Sequence, residues 1–112
     1  MPPKIKIIRT EVWLADLNPV MGHEQGGKRP VLVVSVDEFN NSSAEMVTIL
    51  PITSKNKGIN THVKIKLKVI SFIKVEDIRT ISTKRLIKKI DTVDHSTMLE
   101  VEKIINYLLG LK

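Results

Sequence analysis

The sequence predicts a mainly β domain with some α: a small, strongly bent antiparallel sheet or barrel with one amphipathic helix at its C-terminal end. Three observations predict it. Short apolar runs recur through residues 11–81, each ended by a cluster of Asn, Asp, Ser, Gly or Pro. From Thr61 to Lys68 apolar residues alternate with lysine at period two, the pattern of a strand with one wet face. After Asp94 the period lengthens to three and four. A sheet this small buries its apolar face by curling on itself or by taking a helix on one side.

The elements follow in order. EVWLADL, Glu11 to Leu17, reads as a strand ended by the turn signal Asn18-Pro19. NPVMGHEQGGKR, residues 18–29, holds three glycines and no periodicity and reads as a loop. PVLVVSV from Pro30 is a buried strand, DEFNNSS from Asp37 to Ser43 a turn, and EMVTILPI, Glu45 to Ile52, a second strand that pairs with it as a hairpin. SKNKGIN is a polar loop, and Thr61 to Lys68 turns Val63, Ile65 and Leu67 inward and three lysines outward. Phe72 to Ile81 offers two short strands around Glu76-Asp77, while Leu86 to Val93 is ambiguous from pattern alone. Met98, Val101, Ile104, Ile105, Leu108 and Leu109 mark one helix, with Asp94 or Ser96 as its N-cap and Gly110 as its stop.

A chain of 112 residues fits one domain, residues 1–112, and buries roughly two thirds of its unfolded surface. It has no cysteine, so neither a disulfide framework nor a thiolate metal cluster is available, which suits a reducing cytoplasm. MPPKIKIIRT lacks the apolar core of about 7–15 residues that a signal peptide needs, and no stretch approaches the ~20 residues of a membrane span. A soluble, cytoplasmic protein is expected, with no membrane partner. The net charge of +6 is uneven: residues 54–90 carry eleven Lys/Arg against two Asp/Glu, and the rest is nearly balanced or acidic. Such a block suits a phosphate backbone or an acidic protein, or is simply a solvated lysine-rich face.

The densest group of reactive side chains is Gly22-His23-Glu24-Gln25-Gly26-Gly27-Lys28-Arg29-Pro30. Glycines such as Gly27 let backbone N–H groups approach a phosphate, and Arg29, stiffened by Pro30, suits a bidentate grip on phosphate oxygens. A long hairpin loop with solvated charges has the same composition, and the spacing matches neither the P-loop nor the dinucleotide fingerprint.

The string E-V-W-L-A-D-L-N-P-V-M-G-H-E-Q-G-G-K-R-P-V-L-V-V, Glu11 to Val34, resembles the opening of the MazF/PemK ribonuclease toxins. V-T-I-L-P-I-T-S, Val47 to Ser54, and I-R-T-I, Ile78 to Ile81, continue the resemblance over nearly the whole chain. The implied fold is the plasmid-maintenance toxin type of CcdB and PemK, a Src-homology-like barrel. The implied activity is that of a type II toxin: sequence-specific, metal-independent cleavage of single-stranded RNA, with no cofactor. Its 2′-OH attacks the adjacent phosphorus and leaves a 2′,3′-cyclic phosphate and a 5′-OH.

Carried over residue by residue, the resemblance puts the catalytic pair at Arg29 and Thr53. Arg29 stabilises the developing charge and Thr53 hydrogen-bonds a non-bridging oxygen. His23, Glu24 and Glu76 are supporting or alternative acid/base groups, histidine being the residue type suited to a base near neutrality. Gln25, Gly27, Lys28, Ser54, Lys55, Lys74 and Arg79 are candidate RNA contacts, Lys28 at a position that varies in the family. His62, read as alternating outward on a basic strand, and His95, near the helix start, are expendable. Trp13 belongs to the core or a dimer interface, and Phe39 or Phe72 is left to stack a base. Asp77 stands where the family most often has Gln, and Ser82 where Asp is frequent; both bear on the substrate groove. The partners implied are single-stranded RNA, a second copy of the chain, and an antitoxin whose disordered, acidic C-terminal segment occupies the RNA groove. The alternative is a CcdB-like toxin that binds gyrase without catalysis, which has no need of the Gly-x-Glu-Gln-x-Gly-x-Arg-Pro loop or of Thr53.

Overall fold

In the computed structural model, which describes residues 6–19 and 21–111, seven strands form one antiparallel sheet and a single long helix follows them. Part of the reading of the N-terminus rests on residues 1–5, which lie outside the described residues. The strands are β1 (Glu11–Asp16), β2 (Lys28–Val33), β3 (Met46–Thr53), β4 (His62–Lys66), β5 (Ile70–Lys74), β6 (Arg79–Ser82) and β7 (Leu86–Thr92). The helices are α1 (Asp37–Asn40) and α2 (His95–Leu109). The strand order is β4-β5-β3-β2-β1-β7, with β6 also on β3.

β3 forces the bend. Its first half, Met46 to Ile49, pairs with β6, and its last two residues, Ile52 and Thr53, pair with β5 on the same edge. Its other edge takes β2 through Ile49, Leu50 and Pro51. One strand serving two neighbours in succession must curl, and the curl divides the interior in two. Trp13, Val31, Val33, Val47 and Ile49 face one core, and Val12, Leu32, Leu50 and Ile52 face the other. Both faces of β1, β2 and β3 are therefore covered, which is why they read as unbroken apolar runs. The β4 strand has one wet face, and it alternates as expected: Val63 is buried while Lys64 and Lys66 are exposed.

The helix covers the second core. Met98 and Val101 are buried among Val63, Ile73 and Val75, with Ile104 and Ile105 partly buried behind them, whereas Leu108 and Leu109 are exposed. Of the two possible caps the structure uses Asp94: its Oδ1 accepts from Thr97 N at 2.9 Å and from Ser96 Oγ at 3.1 Å. Gly110 stops the helix at φ +68, where a side chain would be strained. The bonds from Thr97, then that from Ser96, hold the Asp94 carboxyl below the usual carboxylate range. A depressed carboxyl stabilises the fold above its unfolded pKa, and that contribution is lost as pH falls through the lower folded value. Asp94→Ala is therefore expected to lower the thermal midpoint near neutrality. The gap from the parent should close in acid, where protonation removes the same acceptor; a constant gap across the pH series would contradict the cap.

Three expectations are refined. Residues 37–40 form one helical turn rather than only a loop, because the N–H groups of Asn40 and Asn41 bond back to the carbonyls of Val36 and Asp37. The ambiguous segment at Leu86 is β7, paired with β1 across two irregularities that blur its period. Trp13 is core, 6% exposed, with Nε1 donating to Glu11 Oε1 at 3.1 Å.

Candidate active site

The loop between β1 and β2, residues 17–27, is tied down at both ends. Leu17 N donates to Gly27 O at 2.9 Å, and Gly27 N to Asn18 Oδ1 at 3.0 Å. Gly27 has φ +78, which explains the glycine by backbone rather than by space. Its N–H, expected to meet a phosphate, is already given to Asn18, so Gly27 shapes the loop instead.

Farther along, a polar clamp joins the loop to the turn at Val75–Asp77. Asp77 Oδ2 accepts from Gln25 N at 2.9 Å and from Arg79 Nη2 at 2.9 Å, and the same Nη2 donates to Gln25 O at 2.6 Å. Lys74 Nζ lies 3.9 Å from Asp77 Oδ2, and Arg79 Nη1 lies 3.9 Å from Glu24 Oε2. With side chains 13% and 16% exposed, Asp77 and Arg79 face inward. Arg79, expected as an RNA contact, turns inward instead: its Nη2 is given to Gln25 O and Asp77 Oδ2, and its buried Nε has no partner among the described residues. Ser82 makes no bond to this clamp; its hydroxyl accepts from Lys84 N at 3.2 Å.

Arg29, the second residue of β2, is positioned by that loop. Its Nε donates to Gly26 O at 3.2 Å. The Gln25 amide lies between two cations: one orientation sets its oxygen 3.4 Å from Lys74 Nζ, the other gives that oxygen Arg29 Nε at 3.0 Å and Nη2 at 3.2 Å. The second supplies two donors to one acceptor and fixes the plane of the guanidinium. Thr53, the last residue of β3 and 6% exposed, accepts from Lys55 N at 3.2 Å through its hydroxyl.

Two cavities meet at this pair. One, about 400 Å³, is walled by Pro30, Ile52 and Leu67 with Ser54, Lys68 and Lys88 around it. The other, about 200 Å³, is polar, with His23, Glu24, Gln25, Lys55, Lys57, His62 and Lys74 in its wall. Arg29 and Thr53 are the two residues common to both. Among the described residues no three of His, Asp and Glu converge as a metal site requires.

The other expected residues are distributed as follows. His23 and Glu24 line the smaller cavity, His23 on the exposed outer turn and Glu24 with Oε1 accepting from Met21 N at 2.9 Å. Lys28 is exposed opposite Asp16 and lines neither cavity. Glu76 also lies outside both walls: it accepts from Thr61 Oγ1 at 2.7 Å and bonds His62 Nε2 at 3.0 Å. Burial acts to raise its pKa, but the bonds from Thr61 and His62 prevail and hold the carboxyl below its usual range. Phe39 and Phe72 are half-buried and line neither cavity, although Phe72 is the strand partner of Thr53.

His62, expected as an expendable side chain turned outward on a basic strand, is not solvated in the structure. It does share the outer face of β4 with Lys64, but the turn carrying Glu76 folds over it, so its imidazole is only 3% exposed and lines the smaller cavity. Strand alternation predicts which face a residue takes, not what covers that face. The β4–β5 hairpin register, His62 opposite Lys74 and thus near Glu76, is the signal that finds it.

The PemK-like, MazF-like toxin family of type II toxin-antitoxin systems matches residues 8–109. The chain is 41% identical over 111 residues to Endoribonuclease MazF of Staphylococcus epidermidis, covering 94% of this chain and 92% of that one. The crystal structure of MazF from Deinococcus radiodurans superposes with a TM-score of 0.88 at 24% identity, covering 96% of this chain and all of that one. The MazE-MazF structure from the same organism gives 0.83 at 25% identity, over 97% of this chain.

Proposed function

The chain belongs to the PemK-like, MazF-like toxins of type II toxin-antitoxin systems, and from that premise we propose an endoribonuclease that cuts single-stranded RNA at a preferred sequence without a metal ion. The observation that carries the reading is the shared position of Arg29 and Thr53, in the wall of both cavities. A scissile phosphate at that pair has RNA on either side of it, one nucleotide toward the polar cavity and the other toward the more apolar one.

RNA supplies its own nucleophile, so the protein needs to align the 2′-OH, stabilise charge at phosphorus and move protons. Arg29 offers a planar fork to the non-bridging oxygens, and the Thr53 hydroxyl offers one more donor. Lys55, Lys57 and Lys74 on one side and Lys68 and Lys88 on the other supply counter-charge to the flanking phosphates, with Ser54 beside them. Gln25 acts through Arg29, and Asp77 and Arg79 act through the loop. The products are a 2′,3′-cyclic phosphate and a 5′-OH.

The same basic surface fits the acidic, disordered tail of a cognate antitoxin, and complementary charge speeds its capture. MazE bound to the Deinococcus relative is in line with such a partner. A homodimer has an apolar surface available, since Val69, Ile70, Ile87 and Ile90 are exposed and Val69 and Ile90 border the larger cavity. No described helix is long and apolar enough to cross a membrane, and the proposed substrate puts the protein's work in the cytoplasm.

The test is incubation with a mixed-sequence, end-labelled single-stranded RNA in EDTA, beside Thr53→Ala. Discrete cuts with 5′-OH ends are expected, and their loss in the variant. Uncut RNA from folded protein would defeat the reading and turn attention to a gyrase supercoiling assay.

A further inference from the structure

His62 carries an unused atom. Its Nε2 bonds Glu76 Oε2 at 3.0 Å, and since a carboxylate only accepts, Nε2 holds the hydrogen. In the neutral ring Nδ1 is then a bare acceptor. That nitrogen is fully buried and has no hydrogen-bond partner among the described residues, in a ring whose side chain is 3% exposed, so a hydroxyl meets it only once the neighbouring side chains shift. Buried polar atoms in native proteins are nearly always paired, so this one calls for a partner that arrives from outside. The cavity that His62 lines is faced by Arg29, Lys55, Lys57 and Lys74, a set of cations that gathers phosphates but that leaves Nδ1 unpaired. The hydrogen donor that stands beside every phosphate of RNA is the 2′-hydroxyl.

We propose, resting on the endoribonuclease reading above, that His62 is the general base of the cleavage, with Glu76 as its positioning residue. Nδ1 takes the proton of the 2′-hydroxyl while the 2′-oxygen bonds to phosphorus. The bond from phosphorus to the 5′-oxygen breaks, and that oxygen takes a proton from solvent. The imidazolium faces Glu76 until it returns its proton to water. The arrangement is a carboxylate that orients a histidine and stabilises its charged form, the logic of nucleophile activation in other folds. His23, the base that the loop sequence offers, is exposed and makes no hydrogen bond among the described residues, so nothing fixes its ring.

The groups facing His62 are Glu76 from the turn after β5, Lys74 from β5, Lys55 and Lys57 from the loop before β4, His23 and Glu24 from the β1–β2 loop, and Arg29 from β2. The experiment is the pH dependence of kcat/KM on one cleaved RNA for the parent, His62→Gln, His23→Gln and Glu76→Gln. The Gln amide keeps a donor for Glu76 and deletes the base. His62→Gln is expected to lower kcat by at least about a hundredfold and to lose the acid limb, the part of the profile where rate rises as the base deprotonates. It should still bind an RNA bearing a 2′-deoxy nucleotide at the scissile position, and melt as the parent does. His23→Gln should keep the limb. Glu76→Gln should move the limb to lower pH, because losing the carboxylate disfavours the imidazolium. Should His62→Gln fold poorly, that shift in Glu76→Gln decides the matter. An unmoved limb in Glu76→Gln, or a limb retained in His62→Gln, overturns the assignment while the endoribonuclease stands. A parent that cuts no RNA overturns both.

Discussion

Arg29→Lys is expected to lose roughly 10²–10³-fold in kcat, about 3 kcal/mol of transition-state stabilisation, although it keeps the positive charge. The reason lies in how the guanidinium is held. Nε donates to Gly26 O at 3.2 Å, and the Gln25 amide, in the orientation that turns its oxygen to Arg29, accepts from Nε at 3.0 Å and Nη2 at 3.2 Å, so the loop fixes the plane of the fork before substrate arrives. Lysine has a single tetrahedral ammonium on a freely rotating stem and cannot reproduce these bonds while meeting two phosphate oxygens. The loss should fall on kcat, with KM changed by less than about threefold, because the neighbouring lysines still attract the RNA. Single-turnover cleavage of a short single-stranded RNA measures it. Recovery of a tenth or more of the parent rate would mean that Arg29 serves as a bulk charge rather than as an oriented fork.

Much of the architecture was legible because it depends on periodicity. β1, the β2–β3 hairpin and β4 follow from apolar runs and turn residues, and the cap and stop of α2 follow from Asp94 and Gly110. What was not legible depends on contacts between segments far apart in the chain. The β7 strand has almost no inward side chain to give it a period: only Leu86 is better than exposed along it. The loop sequence marked Arg29 and Gln25, yet the group that holds their segment is Asp77, 52 positions from Gln25, and nothing in its neighbourhood announces that bond. Read by resemblance, Asp77 was a departure in a substrate groove; in the fold it is the loop's anchor. His62 shows the same limit in the other direction. Alternation put it on the outer face of β4, and only the folded turn, with Thr61 and Glu76 bonded at 2.7 Å, turns that face into a wall of the cavity.

The anchor can be removed. Asp77→Ala takes the acceptor from the Gln25 N–H and from the Arg79 guanidinium, leaving a cation that is 16% exposed and whose Nε already lacks a partner among the described residues. Breaking a buried pair from one side costs more than deleting both partners, because the remaining charge stays desolvated. The residual exposure reduces the penalty here, so the expected loss of stability is about 2–3 kcal/mol by denaturant titration. Arg79→Ala should cost less, since it leaves a carboxylate still bonded to Gln25 N and 3.9 Å from Lys74. The double variant should be more stable than the sum of the two losses implies, by a coupling of about 1–2 kcal/mol. Cleavage should fall along with stability in Asp77→Ala, about tenfold or more in kcat at a temperature where the protein remains folded. Gln25 and Gly26 would no longer hold Arg29 in register, and small displacements of an oriented group are costly. Asp77→Asn, which keeps an oxygen for Gln25 N but not the charge for Arg79, should lie between. Additive losses in the cycle would show that Asp77 and Arg79 act independently. Full cleavage by a destabilised Asp77→Ala would show that the loop keeps Arg29 in place without its anchor.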